Sequence, residues 1–327
     1  VVDDDSIDQT QILVKKLSKI ERRVRLINRI GRYGLSSAIN EGCLNSTGEV
    51  IAIMDSDGQH EVKSVYEAID ELINGNCDLI IGSRFLEKSS IKGLSAKRKD
   101  GSSYANILAR NTLSKEYREI TDYMSGCFVF KTISCMEEIK KIDVNGFKFL
   151  YELLALTKGK LKIKEIPLQF KSRKFGYSKL DIAVIWDFVI SLIHTFINRV
   201  IPRKAISFGV VGSIGVLVHL AMVYFLISIT SLSFIQVLPF AGVSAASSNF
   251  LINNMFTFRN KRLRGIGLFY GLLKFLMVSS IPLLANVGLA ASYYTYISPN
   301  TFISQMAGII VVFIWNYVAS SKFVWKE

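Results

Sequence analysis

Hydrophobic positions fall into two regimes along this chain. Up to about residue 180 they form short runs closed by glycine, aspartate or other turn residues; beyond it they form long stretches separated by basic clusters. In the first regime, Val50 to Met54 is a run of apolar residues that stops abruptly at Asp55-Ser56-Asp57-Gly58-Gln59. A short apolar run bounded by turn signals predicts a buried strand. Further strands are expected at Val1-Val2, which ends in Asp3-Asp4-Asp5, at 24–27, at 78–82 running into Gly82-Ser83-Arg84, and at 127–131. Residues 161–170 read as a strand pair interrupted by Pro167. Helical patterns with caps occupy 9–20, 34–46, 61–74, 101–114 and 147–156. Strands alternating with helices predict a mainly parallel, doubly wound, Rossmann-like α/β sheet. Such sheets bind ligands in the crevice outside the carboxyl ends of their strands.

The second regime opens with 181–199, where Trp186, Phe188, Ile193 and Phe196 stand among polar residues that include Asp187 and His194. That mixture predicts a helix lying in the membrane interface. The stretches 205–228, 234–257, 266–292 and 302–321 each reach the roughly 20 residues that cross a bilayer. Arg199, Arg203 and Lys204 precede the first, Arg259, Lys261, Arg262 and Arg264 lie between the second and third, and Lys322 and Lys326 follow the fourth. The other two connections, 229–233 and 293–301, carry no charge. By the positive-inside rule, both ends of this region and the N-terminal domain face the cytosol. Lys274 snorkels from near the cytoplasmic end, and Asn249, Asn253, Asn254 and Asn316 are expected in helix–helix hydrogen bonds. The chain thus divides into a catalytic-type domain over 1–180, an interfacial helix over 181–204 and an all-α domain of four transmembrane helices over 205–327.

Composition agrees with this division. The 327 residues suffice for two domains, half are hydrophobic, and the formal net charge is +13. Beside membrane spans, that charge points to anionic headgroups rather than nucleic acid. Cys43, Cys77, Cys127 and Cys135 show no metal-binding spacing and read as free thiols in a reducing cytosol. Only three histidines occur, scattered along the chain, which argues against a zinc cluster. The chain starts without Met at what reads as the end of a strand, so an upstream strand and loop are expected to be missing.

Three strand ends deliver chemistry to one edge: Asp4, then Asp55 and Asp57, then Arg84. Two carboxylates one residue apart, with the Gln59 amide beyond, offer only oxygen ligands, which suits Mg²⁺ or Mn²⁺ shared with substrate phosphates. A guanidinium beside them suits phosphate, and together they suit a nucleotide-sugar site. Arg98 and Ser102 stand four apart after a basic loop over 88–103, on one face if the helix begins early. Arg173-Lys174-Phe175-Gly176-Tyr177-Ser178-Lys179 combines cations, glycine and serine before the apolar region and is suited to closing over a diphosphate. Taken singly, each has a plainer reading: a solvated acidic turn, a surface ion pair, a solvated or headgroup-binding basic loop.

Together and in order, these segments resemble the polyprenyl-phosphate sugar synthases of the dolichol-phosphate mannose synthase type, a GT-A glycosyltransferase domain of family 2 fused to a GtrA-like four-span membrane domain. The resemblance is carried by Val-Val-Asp-Asp-Asp-Ser-x-Asp-x-Thr (1–10), Gly-Leu-Ser-Ser-Ala (34–38), Met-Asp-Ser-Asp-Gly-Gln-His (54–60), Gly-Ser-Arg (82–84), Ser-Gly-Cys-Phe (125–128), Gly-Phe-Lys-Phe-Leu (146–150) and Gly-x-Ser-Lys-Leu (176–180). In the membrane part it is carried by Asn249-Phe250-x-x-Asn253, Phe256-Thr257-Phe258 and Asn316-Tyr317. It implies that Val2 and Asp4 contact the nucleotide, that Asp55, Asp57 and Gln59 hold the metal with Ser56 lining the site, and that Arg173 and Lys179 clamp the diphosphate. It further implies that Arg84, Arg98 and Ser102 receive the lipid phosphate. Gly58, where a bulkier apolar residue is usual, and Tyr123, where proline is frequent, depart from the pattern.

The implied reaction is a metal-dependent, inverting transfer of mannose from GDP-mannose to dolichyl phosphate at the cytosolic face of a cell membrane. UDP-glucose as donor, or a non-catalytic glycolipid carrier, are the alternatives; the Gln-x-x-Arg-Trp-type motif of processive synthases is absent from the sequence.

Overall fold

The computed structural model describes residues 1–31, 34–86, 89, 96–144, 148–169, 182–297 and 301–326. Its contacts divide the chain into two units, Val1–Arg199 and Val200–Glu327.

In the first unit, β1 (Val2–Asp3) and β2 (Ile27–Asn28) pair in parallel, with Val2 opposite Ile27. Helix α1 (Thr10–Ile20) joins them, and α2 (Leu35–Leu44) follows. A Cβ on Gly42 of α2 would come within 3.2 Å of Val2 Cγ2, so glycine lets the helix approach the strand. The main sheet holds β3 (Val50–Met54), β4 (Leu79–Ser83), β5 (Cys127–Lys131) and β6 (Ile163–Pro167) in the order β3-β5-β4-β6. β4 and β6 are parallel, while β5 runs antiparallel to both β3 and β4, between them. Three strands therefore share a direction as expected, and one is inserted against it.

The period-two alternation of strands sorts the core into two layers. Leu79 and Ile81 of β4 and Phe128 and Phe130 of β5 face one side. They pack there with α4 (Ala96–Thr112), α5 (Thr132–Ile139) and α6 (Phe149–Thr157). Ile80 and Val129 face the other side, against Ala68 and Leu72 of α3 (Val62–Asn74). The run 161–170, expected as an interrupted pair, contains the single strand β6 ending at Pro167, past which Leu168 N donates to Ser83 O at 2.8 Å. α5 was not expected, and α4 begins at Ala96, earlier than the pattern indicates. α7 (Ile182–Phe196) closes the unit. All four cysteines are buried and free. Burial pushes the thiols of Cys43, Cys127 and Cys135 up to about 12 and raises that of Cys77.

The second unit contains the long helices α8 (Arg203–Ile229), α9 (Phe234–Ile252), α10 (Ile266–Tyr296) and α11 (Thr301–Ala319). α8 packs on α9, and α10 on α11. Among the described residues, α8 is the helix long and apolar enough to cross a membrane. α9 and α11 run into π-helical turns, Asn253–Thr257 and Ser320–Val324. Trp325 stacks on Phe258 with ring centroids 4.1 Å apart and on Phe250 at 5.6 Å, and its Nε1 donates to Asn254 Oδ1 at 3.1 Å. Asn254 also accepts from Leu263 N at 2.8 Å and donates to Leu263 O at 3.1 Å. That asparagine therefore joins the turn after α9 to the end of the chain.

On α8, Gly215 faces Asn249 of α9 so closely that a Cβ would lie 2.4 Å from the amide. Gly215→Ala is expected to cost about 1–3 kcal/mol by overpacking, read as a lowered Tm in detergent, and Asn249→Ala in the same chain should restore it. An unchanged Tm for Gly215→Ala would remove Asn249 as the wedge between these helices.

Candidate active site

The three strand ends belong to two sheets: β1 pairs with β2, whereas β3 and β4 lie in the main sheet. At β1, Asp3 is buried and accepts Ser6 N at 2.9 Å, Ser6 Oγ at 2.6 Å and Gln11 Nε2 at 3.1 Å. Burial alone would raise its pKa, but these donors outweigh it and hold the carboxyl below the ordinary range. Asp4 accepts Gly34 N at 2.8 Å on Oδ2 and faces Arg29 Nη1 at 3.0 Å on Oδ1. Arg29 is 2% exposed and also faces Glu41 at 3.4 Å, while donating to Gly34 O at 3.4 Å and to Ser37 Oγ. Gly34 sits at φ 123°, a backbone that disfavours any side chain. A buried arginine thus fastens Asp4 to the start of α2 and leaves its carboxylate partly exposed. Val2 is half-buried on β1.

At the end of β3, Asp55 is about a third exposed, and its Oδ2 lies 3.9 Å from His60 Nε2. Ser56 is exposed. Asp57 is half-buried and accepts Gln59 N at 3.1 Å, closing a turn in which Gly58 takes φ 73°. Gln59 is itself buried. Gly126, just before β5, leaves room for this arrangement: a Cβ there would fall 2.2 Å from Asp55 Oδ2. Asp55 and Asp57 are hard, partly open oxygen donors on one turn, and they fit a Mg²⁺- or Mn²⁺-sized cation completed by substrate oxygens. Among the described residues no group of three or more His, Cys, Asp or Glu comes together, so the chain alone does not close a coordination shell.

At the end of β4, Arg84 grips Asp122 through two bonds, Nε to Oδ2 at 2.7 Å and Nη2 to Oδ1 at 2.8 Å. Its side chain is 13% exposed and that of Asp122 not at all. Burial disfavours the guanidinium charge, but Asp122 and then Asp55 more than offset it and raise the arginine's pKa. Asp122 also accepts from Arg84 N and Met124 N, each at 3.2 Å. The turn carrying it is hung on β6, where Glu165 accepts Thr121 N at 2.9 Å and Asp122 N at 3.0 Å. Arg84 Nη2 lies 3.4 Å from Ser102 Oγ, so these two expected acceptor residues do meet.

Lys148, which precedes α6, joins the same cluster. Desolvation pushes its pKa down to about 8, the Arg84 charge adds to the lowering, and Asp55 and Asp122 oppose it. The residue as a whole is half-buried.

Sequence reasoning missed Arg29, Asp122, Gly126 and Lys148. Lys148 and Gly126 lay inside quoted motifs, and their signal was a cation or a glycine at the edge of an apolar element. Arg98 is on α4, one turn before Ser102, but its side chain is not among those described. Arg173 and Lys179 lie outside the described residues.

A glycosyl transferase family 2 model matches residues 1–137, and a GtrA/DPMS transmembrane domain model matches residues 207–325. A dolichol-phosphate mannosyltransferase of Pyrococcus furiosus is 30% identical across 99% of this chain and 90% of its own length. One of Mycosarcoma maydis is 32% identical across 67% of this chain and 71% of its own length. Among solved structures, glucosyl-3-phosphoglycerate synthase of Mycobacterium tuberculosis aligns with 61% of this chain and 67% of its own at 16% identity and a TM-score of 0.42; that likeness is too distant to speak to function.

Replacing Asp122 by Ala should destabilise the protein by about 3–5 kcal/mol, because it strands the Arg84 charge in a buried setting. Thermal unfolding in detergent measures this, and a change below about 1 kcal/mol would mean that water reaches the guanidinium freely.

Proposed function

The chain belongs to the dolichol-phosphate mannosyltransferase family, and from that premise we propose that it transfers mannose from GDP-mannose to dolichyl phosphate with the help of Mg²⁺ or Mn²⁺. It is a membrane-bound glycosyltransferase that acts on a polyprenyl-phosphate acceptor. The mannosyl donor is supported by the likeness to the Pyrococcus furiosus enzyme, and the observation that most supports the phosphate acceptor is the Arg84 guanidinium, held by Asp122 and brought to Ser102 at the end of β4.

The acceptor phosphate monoester is already largely ionised near neutral pH, with a second pKa of about 6. It needs no general base. What it needs is alignment of an anionic nucleophile with an anionic donor. One phosphate oxygen attacks the anomeric carbon from the face opposite the nucleoside diphosphate, whose C–O bond breaks as it leaves with the electron pair, so the anomeric centre inverts. Lys148 and Arg84 offset the repulsion as the acceptor approaches, and Ser102 and Arg98 are assigned to the same phosphate. Asp122 keeps the Arg84 fork in one orientation. Asp4, Val2 and Ser56 line the nucleotide side, and Arg173 and Lys179 clamp the diphosphate. A divalent cation on Asp55 and Asp57, with Gln59 as third donor, would stabilise negative charge on the leaving diphosphate. Helices α8 to α11 cross the bilayer, with α7 in the interface and the catalytic unit in the cytosol, so the enzyme is held where the acceptor's headgroup emerges. This raises their effective concentration.

Full-length protein in detergent with Mn²⁺ and dolichyl phosphate, given labelled GDP-mannose or UDP-glucose in parallel, should move label into the organic phase from GDP-mannose alone. Transfer from UDP-glucose instead would replace the donor. Chelation and Asp57→Asn should each reduce transfer by two or more orders of magnitude, and full activity in either would remove the metal. Lys148→Met should raise KM for the lipid acceptor about tenfold or more while leaving that for the donor in place, the mark of a lost charge-assisted contact to phosphate.

A further inference from the structure

Glu152 is the one charged residue of helix α6, whose other residues are mostly apolar. The Glu152 side chain has no exposed surface, a costly place for a carboxylate unless it is paired. Its partner is Arg199, whose Nη2 lies 2.5 Å from Oε2. Arg199 stands in the turn after α7, where both it and Asn198 take left-handed backbone angles, φ 62° and 55°. Neither is glycine, so the turn is held by its surroundings rather than by its own preference. Arg199 N donates to His194 O at 2.8 Å, which ties the turn to α7. The residues that follow lead into α8.

The neighbouring side chain on α6, Tyr151, also faces α7. Its ring meets Phe188 edge-on with centroids 6.0 Å apart, and its hydroxyl bonds Thr112 Oγ1, at the end of α4, at 2.8 Å. The end of α4, the helix that carries Ser102, therefore meets the first turn of α6, which Lys148 precedes, and that same first turn meets α7 and the turn after it. Lys148 caps this helix, and Glu152 N donates to Lys148 O at 3.1 Å, so the cap and the paired carboxylate belong to one first turn.

We infer that Arg199 is a positioning residue: through its buried pair with Glu152 it registers α6 against the turn that leads into the membrane helices, and so sets where Lys148 meets the acceptor phosphate. This rests on the role given to Lys148 above. A pair that served stability alone would affect donor and acceptor kinetics alike; one that places Lys148 affects the acceptor.

The test uses the full chain reconstituted in liposomes. Glu152→Gln combined with Arg199→Gln removes both charges and strands neither, and Arg199→Lys keeps the charge without the planar fork. Both should retain a Tm near wild type. The double variant should lose about tenfold or more in kcat/KM for polyprenyl phosphate, the scale on which small misplacements are felt, while KM for the nucleotide sugar holds. Arg199→Lys should show a smaller loss of the same kind. In a Lys148→Met chain the double variant should add little, because both act through one contact. Undiminished acceptor kinetics, a loss shared equally with the donor that tracks Tm, or a loss fully additive to that of Lys148→Met would each overturn the inference. If Lys148→Met alone is silent, it is the role of Lys148 that fails.

Discussion

Asp122 is a carboxylate with no access to water, and the geometry of the sheet edge depends on how its charge is satisfied. Two guanidinium hydrogens and two backbone amides converge on it. A buried charge with that many donors is fixed in place, because losing any one of them exposes it to a large desolvation penalty. Arg84 is fixed in turn, and Ser102 is brought to it. Glu165 holds the turn from behind by accepting the amides of Thr121 and Asp122, at the cost of a carboxyl whose pKa burial raises. The rigid part of the site is therefore built from charges that neutralise one another, and the cation beside them, Lys148, is left with a weakened hold on its proton.

This arrangement explains which parts of the site could be read from sequence. Asp55 and Asp57 were visible because they interrupt an apolar run, a signal contained within ten residues. Arg84 was visible as the end of the next such run, but not its partner, since Asp122 lies thirty-eight positions later and pairing at that distance leaves no local trace. Lys148 reads as an ordinary solvated cation ahead of an apolar helix; only the folded chain shows what surrounds it. Gly126 has a steric role, letting the Asp55 carboxylate lie against backbone, and that contact joins residues too far apart to leave a local signal.

The fold divides in the same way. Most strand and helix positions in the first unit, α5 excepted, follow from periodicity, because each element's burial pattern is written in its own residues. The antiparallel insertion of β5 does not, since strand order and direction depend on partners far away in the chain. In the second unit, hydropathy marked the long helices. The π-helical turns and the Asn254–Trp325 bond were illegible, because they serve a junction between the ends of three segments.

The burial of every cysteine bears on how the molecule can be handled as well as on how it folds. With thiols sealed in the core and their acidity suppressed, the native chain offers thiol-directed reagents and mild oxidants little thiolate to attack. A probe attached through a cysteine introduced at the exposed Asn198 would report from that position without the native residues first being stripped out.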